Sequence, residues 1–331
     1  MGLVNSILFQ PPTCRRLPEK VAVSWVKTSR GDNIPTIFIE HEKIQKKRKG
    51  SKNQNRSTIK KSGSFSSSNN NGKLTLLYSH ANSEDLGMLY NKLEYMAQEL
   101  NVNILAYDYT GYGYNKVNFP DSEPSEEACY ADIEAVYSYL NNYLKVPHQK
   151  IVLFGRSVGT GPSCYLAEKL SSHGIHLGGV ILHSPFLSIY RVVADCGFSL
   201  TMCGDAFPNV DFVEGIDNCP VYIIHGTDDE IVPFYHGCAL YDALAVGNCA
   251  SNNALARNIK CDSLWVDGMG HNGMSRNMSI QIMQNLSRFL EQVDRRAIEL
   301  SKTTRNVPAK DQEVRANSIR DSIEESDGNT V

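Results

Sequence analysis

The stretch KIVLFGRSVGTGPSCYLAEKL, residues 150–170, decides the fold of this chain. A short apolar run, IVLF, ends at Gly155-Arg156-Ser157-Val158-Gly159, and a helical pattern begins near Thr160. A strand, a tight turn and a helix are the setting in which G-x-S-x-G works as a nucleophile turn. The glycines let strand and helix crowd together, which forces Ser157 into a strained conformation with its hydroxyl presented. The helix that follows points its positive end at charge developing beside the serine. The same stretch lacks the spacing of a phosphate loop or of a dinucleotide-binding turn.

Working outward, the runs LTLLYSH (74–80), NILAYDY (103–109), GGVILHS (178–184), PVYIIHG (220–226) and SLWVDG (263–268) read as further strands. They are apolar throughout rather than alternating, as parallel strands covered on both faces are. Helical segments separate several of them: 85–100, 125–144, 160–172 and 279–293. Alternation of this kind predicts an α/β class, with a mostly parallel central sheet and helices on both faces. The segment between His183 and Pro220 is too short for a large lid and predicts a short cap. In it Phe186, Leu187, Phe198, Leu200 and Phe207 are candidates to line an apolar groove or to pack in the core. Upstream, VAVSWV and PTIFIE around SRGDN predict a β-hairpin.

A serine needs a base and an orienter, expected in the order Ser, Asp/Glu, His. After VYIIHG comes Thr227-Asp228-Asp229-Glu230, and one of these acids should hold the histidine; Asp229 would otherwise read as a helix cap. After SLWVDG comes Met269-Gly270-His271-Asn272, which puts a histidine on the loop before the closing helix. Ser157, Asp229 and His271 are therefore the expected catalytic residues. The developing oxyanion needs donors. The Val158 backbone N–H is one, and the loop SHANSEDLG supplies the other around Ala81 or Asn82. Ser83 or Asp85 in that loop should cap the next helix. His80, His183 and His225 end strands and either shape the site or satisfy buried backbone.

The chain has 331 residues, 41% apolar and 21% charged, enough for a sizeable core. Its net charge of −3 gives no global field for nucleic acid. Residues 43–61 carry nine Lys/Arg and no acid; removing those nine positive charges from −3 leaves −12 elsewhere. This block and the Ser/Asn-rich stretch after it, residues 42–73, read as a solvated insertion, with anionic lipid as a conceivable contact. No aromatic interleaving marks it for RNA, so no nucleic-acid partner is expected. Nine scattered cysteines without metal spacing, and no export signal, indicate reduced thiols. No metal or organic cofactor is expected, and the chain should be a monomer. The opening MGLVNS fits M-G-x-x-x-[ST], the pattern for myristoylation of Gly2. One such chain binds a bilayer marginally, so a second signal is needed: acylation of Cys14, or the basic block. The expected organisation is a lipid-anchor segment over 1–16, one domain over 17–301 and a polar disordered tail over 302–331.

Several motifs together, LLYSHANSEDLG, YDYTGYG, PSEEACYADIEAVY, FGRSVGTGP, LHSPF, DAFPN, HGTDDEIVPFYHG and GMGHN, resemble the alpha/beta hydrolase domain-containing protein 17 family. The resemblance covers roughly residues 74–292 and the upstream hairpin. It implies the alpha/beta-hydrolase fold, with Ser157 as nucleophile, Asp229 as orienter and His271 as base. It also implies a membrane-anchored serine hydrolase that removes palmitate from cysteines of S-acylated membrane proteins, on the cytoplasmic face of membranes. Here His80-Ala81-Asn82 stands where the family usually has His-Gly-Asn. Only Cys14 stands where its animal members carry a cysteine cluster, and the 42–73 insertion has no counterpart. Two further functions are compatible with the same residues: a lysophospholipid or small-ester hydrolase, and a catalytically silent, membrane-tethered binding module.

Overall fold

The structure, a computed structural model, describes residues 8–42, 44, 72–195, 205–250 and 261–305. Among the described residues eight strands make one sheet: β1 (Ser24–Lys27), β2 (Asn33–Ile39), β3 (Thr75–Ser79), β4 (Asn103–Tyr107), β5 (Ile151–Arg156), β6 (Gly179–His183), β7 (Val221–Gly226) and β8 (Cys261–Val266). The order across the sheet is β1-β2-β4-β3-β5-β6-β7-β8. The hairpin strands pair antiparallel with each other and with β4. All other pairings are parallel. The nucleophile strand β5 lies in the middle, between β3 and β6, so the ends of three neighbouring strands converge beside Ser157.

The described helices are α1 (Leu86–Glu99), α2 (Gly113–Asn118), α3 (Glu126–Ser138), α4 (Thr160–Ser172), α5 (Ile189–Asp195), α6 (Asn209–Glu214), α7 (Tyr235–Ala250) and α8 (Arg276–Arg305). Asp85 caps α1 by accepting from Met88 N, and Ser125 caps α3 by accepting from Ala128 N. The six inner strands, β2 to β7, are buried on both sides because their alternate residues feed two cores. Leu77, Leu105, Leu153 and Leu182 pack with α3, α4 and α7. Leu76, Ile104, Phe154 and Ile224 pack with α1 and α8.

Three boundaries differ from the sequence reading. The stretch 235–250 carries two glycines and no clear polar face, and it folds as α7 by burying Leu240 and Leu244. Helix α8 runs past the expected end, to Arg305, because Ala297 extends its apolar face and Arg296 donates to the carbonyls of Leu177 and Asn218. The domain, expected to begin at residue 17, already includes Leu8 and Phe9 of the expected lipid-anchor segment 1–16, since both are buried in the core. Gly2, most of the basic block 43–61, Phe198, Leu200 and the tail beyond 305 lie outside the described residues. Among the described residues no helix is long and apolar enough to cross a membrane.

Candidate active site

Ser157 follows β5 directly and has φ +52°, the left-handed region that costs a non-glycine residue roughly 1–3 kcal/mol. The flanking glycines explain how the turn holds. A Cβ on Gly159 would sit 2.2 Å from the Ser79 carbonyl oxygen of β3. One on Gly155 would sit 2.4 Å from the Gly159 carbonyl oxygen. Only hydrogen fits at either position, so the expected crowding of strand and helix is what fixes the serine.

His271 Nε2 lies 3.0 Å from Ser157 Oγ. Its Nδ1 lies 2.9 Å and 3.0 Å from the two carboxylate oxygens of Asp229. The three residues come from the ends of β5, β7 and β8, far apart in the chain and all buried. Asp229 also accepts from the N–H groups of Ile231 and Val232, which lie in the turn before α7 and not in the helix, so it closes that turn while it holds His271 and is not a helix cap. Burial alone would raise its pKa. Hydrogen bonding to His225 and His271 outweighs that and holds the carboxyl well below the usual range. It therefore stays charged, and a charged acceptor keeps the imidazole proton on Nδ1 and leaves Nε2 to face the serine.

Four residues complete the frame: Arg156 and Glu84, which the sequence reading left without a role, Glu230, one of its three acid candidates, and His225, expected to shape the site or satisfy buried backbone. Arg156, the x of G-x-S-x-G, pairs with Glu84 at 2.7 Å and donates to the His271 carbonyl and to Asn272 Oδ1. Burial opposes the charge of Glu84, but Arg156 outweighs it and the carboxyl titrates below its ordinary value. Glu230 accepts from His271 N at 3.0 Å. His225 Nε2 lies 2.9 Å from the Val232 carbonyl oxygen and 3.5 Å from Asp229 Oδ2, buttressing the carboxylate from behind. The signal for Arg156 was its place in the motif: a cation ending a buried strand must find a partner. His80 and His183 are buried, and burial pushes both below their ordinary pKa, so they are neutral supports.

The oxyanion candidates separate. Val158 is the second residue of the helical turn Ser157–Gly159 leading into α4, where a first-turn N–H has no acceptor in the helix. Ala81 was expected as an alternative donor, but its N–H is taken by Glu84 Oε2 at 3.0 Å. Among the described residues none accepts the Asn82 N–H, and Asn82 lines the same cleft as Ser157, Val158 and His271. The Asn82 side chain faces elsewhere: it donates to the Leu8 carbonyl and accepts from Gln10 N and the Tyr112 hydroxyl.

The cleft over Ser157 has a volume of about 580 Å³. Its lining is mainly apolar, with Leu8, Phe186, Ile189, Val192, Ile231 and Val232 prominent. Of the expected groove residues that are described, Phe186 lines it, while Leu187 and Phe207 are buried in the core. Cys14 is half-buried, and burial, then Asp85 and Asp108, push its thiol up to about 11. At neutral pH it is a thiol rather than the nucleophilic thiolate. No group of His, Cys, Asp or Glu suited to a metal occurs among the described residues.

No family model matches the chain. It is 37% identical over 221 residues to the Caenorhabditis elegans alpha/beta hydrolase domain-containing protein aho-3, covering 67% of this chain and 58% of that protein. It is 37% identical over 222 residues to the human alpha/beta hydrolase domain-containing protein 17B, covering 67% of this chain and 68% of that one. Among solved structures, the Pyrococcus furiosus esterase Pf2001 superposes with a TM-score of 0.56 at 12% identity, over 86% of this chain and 97% of that one. A puromycin-hydrolyzing peptidase of Mycobacterium tuberculosis superposes with a TM-score of 0.56 at 11% identity, over 82% and 39% of the two chains. At such identities the superpositions speak for the fold, and it is the alpha/beta-hydrolase fold.

Proposed function

The chain belongs to the alpha/beta hydrolase domain-containing protein 17 family, and on that premise we propose that it is a serine hydrolase of long-chain acyl thioesters on cysteines of membrane-associated proteins. The observation that carries the reading is the 3.0 Å approach of His271 Nε2 to Ser157 Oγ at the floor of an apolar cleft. Ser157 Oγ attacks the thioester carbonyl carbon while its proton passes to His271 Nε2. Asp229, charged, stabilises the imidazolium that forms. The electron pair displaced onto the carbonyl oxygen is met by the N–H groups of Val158 and Asn82. Collapse breaks the carbon–sulfur bond, the cysteine sulfur takes the proton from His271, and the acyl group stays on Ser157. Water, giving a proton to His271, then attacks the ester carbonyl; collapse breaks the bond from the acyl carbon to Oγ, Ser157 takes the proton back from His271, and the fatty acid leaves.

The apolar lining supports an acyl substrate, because each buried methylene contributes about 0.8 kcal/mol. We place the protein on the cytoplasmic face of a membrane as a monomer. In this reading Gly2 carries one anchor and Cys14 or the block at 43–61 the second, and S-acylated proteins are its partners. The test compares turnover of a palmitoyl-cysteine peptide and of lysophosphatidylcholine by the full chain. Faster release from the peptide is expected. A preference for the lysolipid would replace the reading with lipid hydrolysis, and turnover of neither would overturn it.

A further inference from the structure

The stretch expected to be a lipid tether is built into the cleft. From Leu8 to Leu17 its backbone is pinned at four points. The Leu8 carbonyl accepts from Asn82 Nδ2 at 2.8 Å, and Gln10 N donates to Asn82 Oδ1 at 2.8 Å. Arg15 N donates to Asp85 Oδ2 at 2.7 Å, and Leu17 N to the Tyr114 hydroxyl at 2.7 Å. Phe9 is buried, its ring edge-on to Tyr112 and Phe207 at centroid distances of 6.4 and 6.3 Å. The domain leaves room for this strap: a Cβ on Gly87, in the first turn of α1, would lie 2.0 Å from the Arg15 carbonyl oxygen. Bonds to backbone atoms fix the path of the segment whatever its side chains, while Phe9 sets its register.

Two strap residues, Leu8 and Gln10, line the cleft above Ser157. We infer that the strap is a wall of the acyl-binding site and that Leu8 is a specificity-determining residue for acyl-chain length, with the Asn82 side chain as the peg that seats it. The inference rests on the acyl-hydrolase reading and deepens it. The peg couples the two ends of the site. Asn82, proposed as the second oxyanion donor, uses its side chain to hold both neighbours of Phe9. A bulkier side chain at position 8 shortens the groove, and a smaller one removes apolar surface from a long chain but not from a short one.

The test is the ratio of kcat/KM for p-nitrophenyl palmitate to that for p-nitrophenyl butyrate, measured on the full chain and its variants. Leu8→Trp should lower the ratio roughly tenfold, the scale on which a groove discriminates by one or two methylenes. Leu8→Ala should lower it several-fold through KM for palmitate, and Leu8→Met should restore the wild-type ratio. The alanine variant removes atoms rather than adding them and serves should the tryptophan variant not fold. A ratio unchanged in Leu8→Ala, or equal losses on both esters, would overturn the inference while leaving the hydrolase reading intact. A wild type that cleaves neither these esters nor the palmitoyl-cysteine peptide would overturn that reading, and the inference with it.

Discussion

Arg156 and Glu84 form a 2.7 Å ion pair at the wall of the cleft that holds the candidate nucleophile, each side chain less than one-fifth exposed. Through it three loops meet at one point. Arg156 ends the nucleophile strand, Glu84 belongs to the oxyanion loop whose Ala81 N–H it accepts, and the second guanidinium nitrogen holds the His271–Asn272 loop. Buried pairs seldom add much net stability, but breaking one strands a charge and costs about 3–5 kcal/mol.

Glu84→Gln and Arg156→Met are each expected to lower thermal stability by an amount of that order. The double variant should lose less than the sum, because neither charge is left alone. Thermal melts of the four proteins check this. Additive losses would mean that the pair does not act as a unit. Arg156→Lys should fail to restore activity, since a point charge cannot hold the carboxylate, the His271 carbonyl and Asn272 together.

The nucleophile turn sets a second expectation. Gly159→Ala places a methyl group on the Ser79 carbonyl oxygen and should destabilise the protein by about 3 kcal/mol or cost it solubility. Gly72→Ala meets nothing within 4 Å and should be silent. Ser157→Gly relieves the left-handed strain, so it should raise the melting temperature while abolishing hydrolysis. A drop in melting temperature would contradict the strained-turn account.

Stability should also depend on pH in a direction that the buried carboxyls fix. Burial raises both Asp108 and Asp132 to about 7. Their protonated forms are favoured in the folded state, so the stabilisation is complete below the ordinary carboxyl pKa of about 4 and is lost as pH rises to 7. Melting temperature should therefore fall between about pH 4 and 7. Asp132→Asn should flatten the slope, because its partners, the Thr110 N–H and hydroxyl, can still be satisfied by an amide. An unchanged slope in that variant would refute the assignment.

What could be read from the sequence was whatever local pattern encodes. The apolar strand runs, the elbow around Ser157 and the order Ser157, Asp229, His271 each sit within a few residues of a strand end, and the structure brings those three together. What could not be read depends on partners remote in the chain. Arg156 meets Glu84 across 72 positions, and Gln10 meets Asn82 across the same separation. Nothing in FQPPTC announces that Phe9 fills a hole beside Tyr112 and Phe207. Ala81 showed the opposite failure. Its place in the loop was right for a donor, but a carboxylate three residues on captures the N–H.

The most direct measurement of the central claim is labelling by a fluorophosphonate probe, which reacts only with an activated serine. The wild-type protein should be labelled, with the adduct on Ser157, and Ser157→Ala should not be labelled. Equal labelling of the two proteins, or an adduct on another residue, would contradict it.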